Sequence, residues 1–323
     1  MIKHLVISGG SYNGIKLYGA LHELAKKQFY NINNIESIYC TSVGSLIGTM
    51  LSLKIENDII YDYIHKRPWY KISNIKNISF QKKGLLDKAF IEDIMKPVFQ
   101  SKNLEMNITL QDLFNHTNID LHIFSTKVTD MSLVDISYKT HPMLPVIDAI
   151  YMSSAIPYFL EPHFYNNDFY IDGGVLCNYP LDHCDKDSDS ILGIRTKNSS
   201  NRTLNNGADA TLIEYFIYLN VKLFKSISAT PTKQIKHNIV LDVVTMESSV
   251  FNEILYSGDK RLEFLQEGQL VATQFIQTIE LEREKEKERE KEKEREKEKE
   301  REKEKEREKE KEREKEKEIN INL

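Results

Sequence analysis

Twice within its first 55 residues the chain runs from a short apolar stretch through a tight turn into a helical pattern. His4 to Ser8 ends in Gly9-Gly10, after which Ile15 to Lys27 spaces apolar side chains three and four residues apart. Ser37 to Cys40 repeats the short strand, and Ser45 to Leu53, rich in Leu, Ile and Gly, repeats the helix. Two consecutive strand-to-helix units bury their apolar faces by setting parallel strands side by side with helices packed on the sheet. The pattern predicts an α/β fold with a mainly parallel central sheet.

Lys54 to Met106 reads as mostly helical, with Phe90 to Phe99 amphipathic and Pro97 near its end. Leu121 to Val128 has the look of a buried strand, and Pro145 to Met152 of a helix stopped by Ser153, Ser154 and Pro157. Phe169 to Ile171 is a predicted strand entering Asp172-Gly173-Gly174, and Ser190 to Arg195 another. Leu212 to Ile227 is apolar on nearly all faces, which predicts a buried helix, with a lid or membrane-touching role as the lesser alternative. Ile239 to Val244 is the last expected strand and Lys260 to Thr278 an amphipathic helix.

From Glu282 to Glu318 the chain alternates Glu with Lys or Arg, 19 acidic against 18 basic residues and no apolar side chain. In a helix this alternation makes every i,i+4 pair like-charged and every i,i+3 pair opposite, so the two effects nearly cancel. Helix propensity is good, but there is no face to bury. A solvated tail, extended or part-helical, is expected over 280–323. The remaining 30 acidic and 26 basic residues leave a mildly acidic body, which supplies no field to attract nucleic acid. That body, about 280 residues long, is large enough to bury a sizeable core.

Cys40, Cys177 and Cys184 are too few for a disulfide framework and lack paired metal-ligand spacing, which favours a reducing compartment. The apolar stretch at the N-terminus breaks into glycines too soon for a signal peptide, and no run approaches the ~18 apolar residues of a membrane span. The expectation is a soluble cytoplasmic protein, with peripheral contact at a membrane surface left open.

Three short pieces carry chemistry. Ser8-Gly9-Gly10-Ser11-Tyr12-Asn13-Gly14 is a turn before a helix N-terminus, where bare N–H groups can cradle a phosphate or an oxyanion. A dinucleotide site wants an acidic residue at the end of the second strand, where Cys40-Thr41-Ser42 stands instead, so the oxyanion reading gains. Cys40-Thr41-Ser42-Val43-Gly44 places a serine on a strand-to-helix turn, the logic of the nucleophile elbow, although an N-cap serine would read the same. Asp172-Gly173-Gly174, taken alone, would pass for a hairpin turn.

In order along one chain, the three pieces resemble the patatin-like phospholipase family, whose pattern is G-G-G-x-x-G, then G-x-S-x-G, then D-G-G or D-G-A. Ser153-Ser154-Ala155-Ile156-Pro157, with Phe159 and Pro162, is similar to that family's S-x-A-x-P segment. Gly84-Leu85-Leu86-Asp87 and Thr109-Leu110-Gln111-Asp112-Leu113 are similar to its intervening elements. The resemblance implies a three-layer α/β/α sandwich with a catalytic domain over 4–185 and a continuation over 186–279. It implies Ser42 as nucleophile, Asp172 as the group that takes its proton, and an oxyanion hole from Gly9, Gly10, Ser11 and Gly14. Cys40, Thr41, Val43 and Gly44 would form the elbow, and Gly173 and Gly174 would follow the aspartate. The implied substrate is a phospholipid or other acyl lipid, cleaved through an acyl-enzyme without metal or organic cofactor.

The chain departs from the family at three places. Ser11 stands for a third glycine, Asn13 for a usual Arg or Lys, and Cys40 for the first glycine of the elbow. These departures leave a lipid- or protein-binding pseudoenzyme as an alternative. His163 and His183, on either side of Asp172, leave a histidine-dependent esterase as another, although that fold normally sets its elbow after more than two strands.

Overall fold

The computed structural model describes residues 1–72, 83–198, 212–243 and 248–321. They divide into two compact units, Met1–Thr273 and Gln274–Leu323. The first opens with the two expected units: β1 (His4–Ile7), α1 (Gly14–Lys26), β2 (Ser37–Thr41) and α2 (Val43–Ser52). Next come α3 (Asn57–Lys66), β3 (Gly84–Leu86), α4 (Ala89–Gln100), α5 (Leu110–Thr117), β4 (Asp120–Lys127) and β5 (Ser132–Ile136). Then follow α6 (Val146–Ser154), β6 (Tyr158–Leu160), β7 (His163–Tyr165), β8 (Asp168–Asp172) and β9 (Ile191–Asn198). The last elements are α7 (Leu212–Ile227), β10 (His237–Val243), α8 (Ser248–Tyr256) and α9 (Gly258–Ile321).

The main sheet runs β10-β9-β1-β2-β4-β8-β7, with β5 also paired to β4. Its β10, β9, β1, β2 and β4 pair in parallel, as the repeated strand–helix grammar requires. Beyond β4 the sheet turns antiparallel through β5, β8 and β7. Every residue of β1 and β2 is buried, which is why their sequences read as continuous apolar runs rather than alternations. Helices α1, α2 and α6 cover one face. Val6, Tyr39 and Phe124 point to the other, where Tyr179, Leu181 and Cys184 close over them. The expected α/β sandwich forms.

The expectation of a mostly helical Lys54 to Met106 is corrected at β3, which pairs with β6 as a separate two-stranded parallel sheet. A long-range partner here overrides local preference. Residues 73–82 of that stretch, and Val244 of the last predicted strand, lie outside the described residues. The short antiparallel strands β5 and β7 were not anticipated by any alternation long enough to detect. Helix α7 forms where expected, but it is not buried: Tyr215, Leu219, Leu223 and Ile227 are 51, 39, 50 and 48% exposed.

In the second unit the charged run lies within α9. Its side chains from Glu282 to Lys303 are exposed, as a segment without an apolar face requires. Among the described residues no helix is long and apolar enough to cross a membrane.

Candidate active site

Strand register explains how distant residues meet. Parallel pairing sets Ile7 beside Cys40 and Thr41 beside Phe124, so the turns after β1 and β2 leave the sheet at one edge. Strand β8 enters from the opposite direction, with Asp172 opposite Ser125, the residue after Phe124. Ser42 and Asp172, 130 positions apart, are thereby brought into contact. Ser42 Oγ donates a 2.5 Å hydrogen bond to Asp172 Oδ2.

Ser42 sits between β2 and α2 with φ 55° and ψ −127°, a conformation that side-chain-bearing residues rarely adopt. A residue so placed stores on the order of 1–3 kcal/mol of strain, held by its surroundings. Two contacts hold it. Its N–H donates to Ser153 Oγ (2.8 Å), which in turn donates to Phe124 O (2.6 Å). Behind it Gly44 leaves no room for a side chain, since a Cβ would stand 2.6 Å from Ile7 O and 2.7 Å from Ser8 O. The serine therefore turns sharply at the N-terminus of α2, where the helix dipole favours developing negative charge.

Asp172 ends β8 and is 6% exposed. Burial pushes its carboxyl up to about 6, against the hydrogen bonds from Ser42 Oγ and Gly174 N–H, which act to lower it. The Gly174 N–H donates to Oδ1 at 2.6 Å, so each carboxylate oxygen has one donor. Gly173 and Gly174 form a single 3-10 turn after the strand, not the hairpin their sequence would allow. A Cβ on Gly173 would run into Phe124 O.

The glycine turn lies directly against the elbow, because a Cβ on Gly9 would be 3.1 Å from Ser42 Cβ. Its N–H groups are not equivalent. Gly9 N–H donates to Asn178 O (2.9 Å), and Gly14 N–H goes back to Ser11 O and Tyr12 O. Gly10 N–H has no backbone acceptor among the described residues. Gly14 has a steric role instead: a Cβ there would strike Val43. Ser11 adopts φ 50°, the left-handed conformation a glycine would take, so the turn keeps its shape with a Cβ present.

Cys40, the other departure, is fully buried, with Sγ donating to His122 O at 3.3 Å. Room for it comes from Gly48 on α2, whose Cβ would lie only 3.1 Å from that sulfur. Burial raises the Cys40 thiol well above its ordinary range, so it is an inert filler. Thr41 Oγ1 donates to Cys177 O (3.0 Å) and ties the elbow to the segment after the Asp-Gly-Gly turn. Asn13 is buried, as a residue packed within the turn.

Ser42 lines a cavity of about 180 Å³ whose walls are almost wholly apolar, among them Leu46, Met50, Phe90, Ile94, Phe159 and Phe251. Arg261, the one charged residue among the described residues that line it, spends its guanidinium on the carbonyls of Ile64, His65, Arg67 and Ile254. Neither predicted histidine borders the cavity. His163 lies by Asp148 and Tyr151, and His183 against the Phe124 ring. The side chain that Ser42 Oγ donates to is the Asp172 carboxylate.

Three positioning groups were not singled out from the sequence. Ser153 was read only as a helix stop and part of a segment. Thr196 donates through Oγ1 to Gly9 O (3.0 Å) and through its N–H to Ser8 Oγ (3.0 Å). Asn178 accepts from Gly9 N–H. Ordinary polar residues at unremarkable spacings leave no signal until the chain is folded.

Comparison with known proteins bears on the family and the fold. Residues 5–185 match the family model described as Patatin-like phospholipase. An uncharacterized protein, R571, of Acanthamoeba polyphaga mimivirus is 27% identical across 75% of this chain and 83% of its own. A probable lipid hydrolase, 463L, of Invertebrate iridescent virus 6 is 30% identical across 56% of this chain and 62% of its own. The crystal structure of VipD from Legionella pneumophila is similar in fold, with TM-score 0.53 and 15% identity, covering 86% of this chain and 67% of that one.

Proposed function

Since the chain belongs to the patatin-like phospholipase family, we propose that it is a serine acyl hydrolase that cleaves phospholipids or related acyl esters with a Ser42–Asp172 dyad. The observation that carries this reading is the 2.5 Å hydrogen bond from Ser42 Oγ to a buried carboxylate, at the wall of an apolar cavity. A serine hydroxyl needs a base within hydrogen-bond reach, and a carboxyl raised to about 6 is better matched to neutral pH than an ordinary aspartate.

In the proposed reaction the acyl chain lies in the cavity with its ester carbonyl at Ser42. The Ser42 oxygen bonds to the carbonyl carbon as its proton passes to Asp172 Oδ2, and the carbonyl electron pair moves onto oxygen. Gly10 N–H and the N-terminus of α2 stabilise that oxyanion; one such donor is worth about 3–4 kcal/mol. Collapse expels the alcohol, which takes the proton from Asp172, and leaves acyl-Ser42. Water then attacks with Asp172 as base, releasing the fatty acid. The viral relative named as a probable lipid hydrolase supports the substrate class.

The test is fatty-acid release from a phospholipid or a chromogenic acyl ester by the purified protein. Turnover that Ser42→Ala abolishes is the expected result. Absence of turnover on either class of ester, or turnover that survives Ser42→Ala, would overturn the reading.

A further inference from the structure

Helix α7 has no place in the chemistry above, yet among its described residues it presents a row of four exposed apolar side chains. Tyr215, Leu219, Leu223 and Ile227 recur every four residues and are 39 to 51% exposed. At 100° per residue, successive members lie 40° apart, so the row covers an arc of about 120° along one side of the helix. At 16 residues α7 is about 24 Å long, too short to cross a bilayer but suited to lie along its surface.

Charge gives the occupant. From Leu212 to Lys236 the chain has one acidic residue, Glu214, against Lys222, Lys225, Lys233 and Lys236, whereas the whole chain carries −5. Lys222 follows the row at its edge, exposed, with its ammonium 5.4 Å from the Tyr218 ring centre. Lys236 is exposed as well. A tyrosine-led apolar stripe with Lys222 at its edge, in an otherwise acidic protein, fits an anionic lipid surface.

The helix is also joined to the candidate active site. It packs on the Gly173–Val175 turn that follows Asp172. Past its end Ala229 N–H donates to Leu176 O (2.7 Å), and Ser228 Oγ accepts from Asn178 N–H (3.3 Å). We propose that the exposed face of α7 docks the protein on anionic phospholipid bilayers and sets the Ser42–Asp172 site at the lipid surface. The functional meaning of this docking rests on the acyl-hydrolase reading; the binding itself does not.

The experiment is co-sedimentation of the full chain carrying Ser42→Ala with vesicles of phosphatidylcholine and phosphatidylglycerol in equal parts, or of phosphatidylcholine alone. Expected are tighter binding to the anionic vesicles, weakened by salt, and a loss of about tenfold or more with Leu219→Asp/Leu223→Asp. The single exposed change Lys222→Glu should weaken binding without touching the apolar row. Leu270→Asp, at an exposed leucine off α7, should leave it unchanged. Equal binding to both vesicles, undiminished binding by both α7 variants, or equal loss with Leu270→Asp overturns the proposal. Self-association in sedimentation velocity that the double substitution abolishes, with no vesicle binding, would assign the face to a second copy and likewise overturn it. Because the Ser42→Ala chain needs no turnover, and wild type can be assayed separately on a soluble short-chain ester, docking and hydrolysis fail independently.

Discussion

Replacing Asp172 with Asn should stabilise the protein while disabling it. The wild-type carboxyl is fully buried, and burial lifts it from an ordinary 3.8 to about 6. A raised folded-state value means the folded form binds the proton more tightly than the unfolded chain. The associated stability is therefore complete below about 3.8 and is lost as pH rises through about 6. That interval corresponds to about 3 kcal/mol. Asparagine does not titrate, keeps an oxygen for Gly174 N–H and can meet Ser42 Oγ with its amide. Urea unfolding of both proteins between pH 4 and pH 8 isolates the effect, because all other titrating groups are shared. The variant's advantage should be near its maximum, about 3 kcal/mol, at pH 7 and above, and should shrink toward pH 4. Its turnover should fall about 10²-fold or more, as for loss of a general base. A stability difference that stays flat with pH, or that grows on acidification, refutes the reasoning.

Other expectations follow from the same geometry. The wild-type kcat/KM should rise with pH through about 6 as Asp172 ionises, measured on an uncharged ester; a profile flat across that range contradicts its role as base. Ser153→Ala strands the buried Ser42 N–H and loosens the elbow, so kcat should drop about tenfold with KM little changed, and Ser153→Thr should recover part of the loss. On β4, burial alone would depress His122, but hydrogen bonds with Asp120 and Asp135 outweigh it and push it up to about 9. This raised value contributes stability that is full below about 6.5 and disappears as pH climbs through about 9, on the order of 3 kcal/mol, and His122→Gln should remove that slope in denaturant unfolding.

What the sequence made legible were the features that require a particular residue type. Parallel core strands need apolar runs on both faces, so β1, β2 and β4 could be read directly. The elbow needs Gly44, whose absent Cβ clears two backbone carbonyls, so its motif survived while Cys40 could be absorbed by Gly48. The closeness of Ser42 and Asp172 followed only from the resemblance, because strand register across 130 positions has no local signature. The same holds for β3, stabilised by a distant partner, and for the spent N–H groups of Gly9 and Gly14, whose sequence is that of any glycine turn. Composition misled at α7, where an apolar helix predicted burial and the fold exposes one of its faces.

The most direct test of a serine–aspartate pair working without histidine is covalent labelling by a fluorophosphonate probe, with the modified peptide identified by mass spectrometry. The account predicts one adduct, on Ser42, formed far more slowly by Asp172→Asn and at the wild-type rate by His163→Ala and His183→Ala. An adduct that persists in Ser42→Ala, or labelling that a histidine substitution suppresses as fully as Asp172→Asn does, would contradict it.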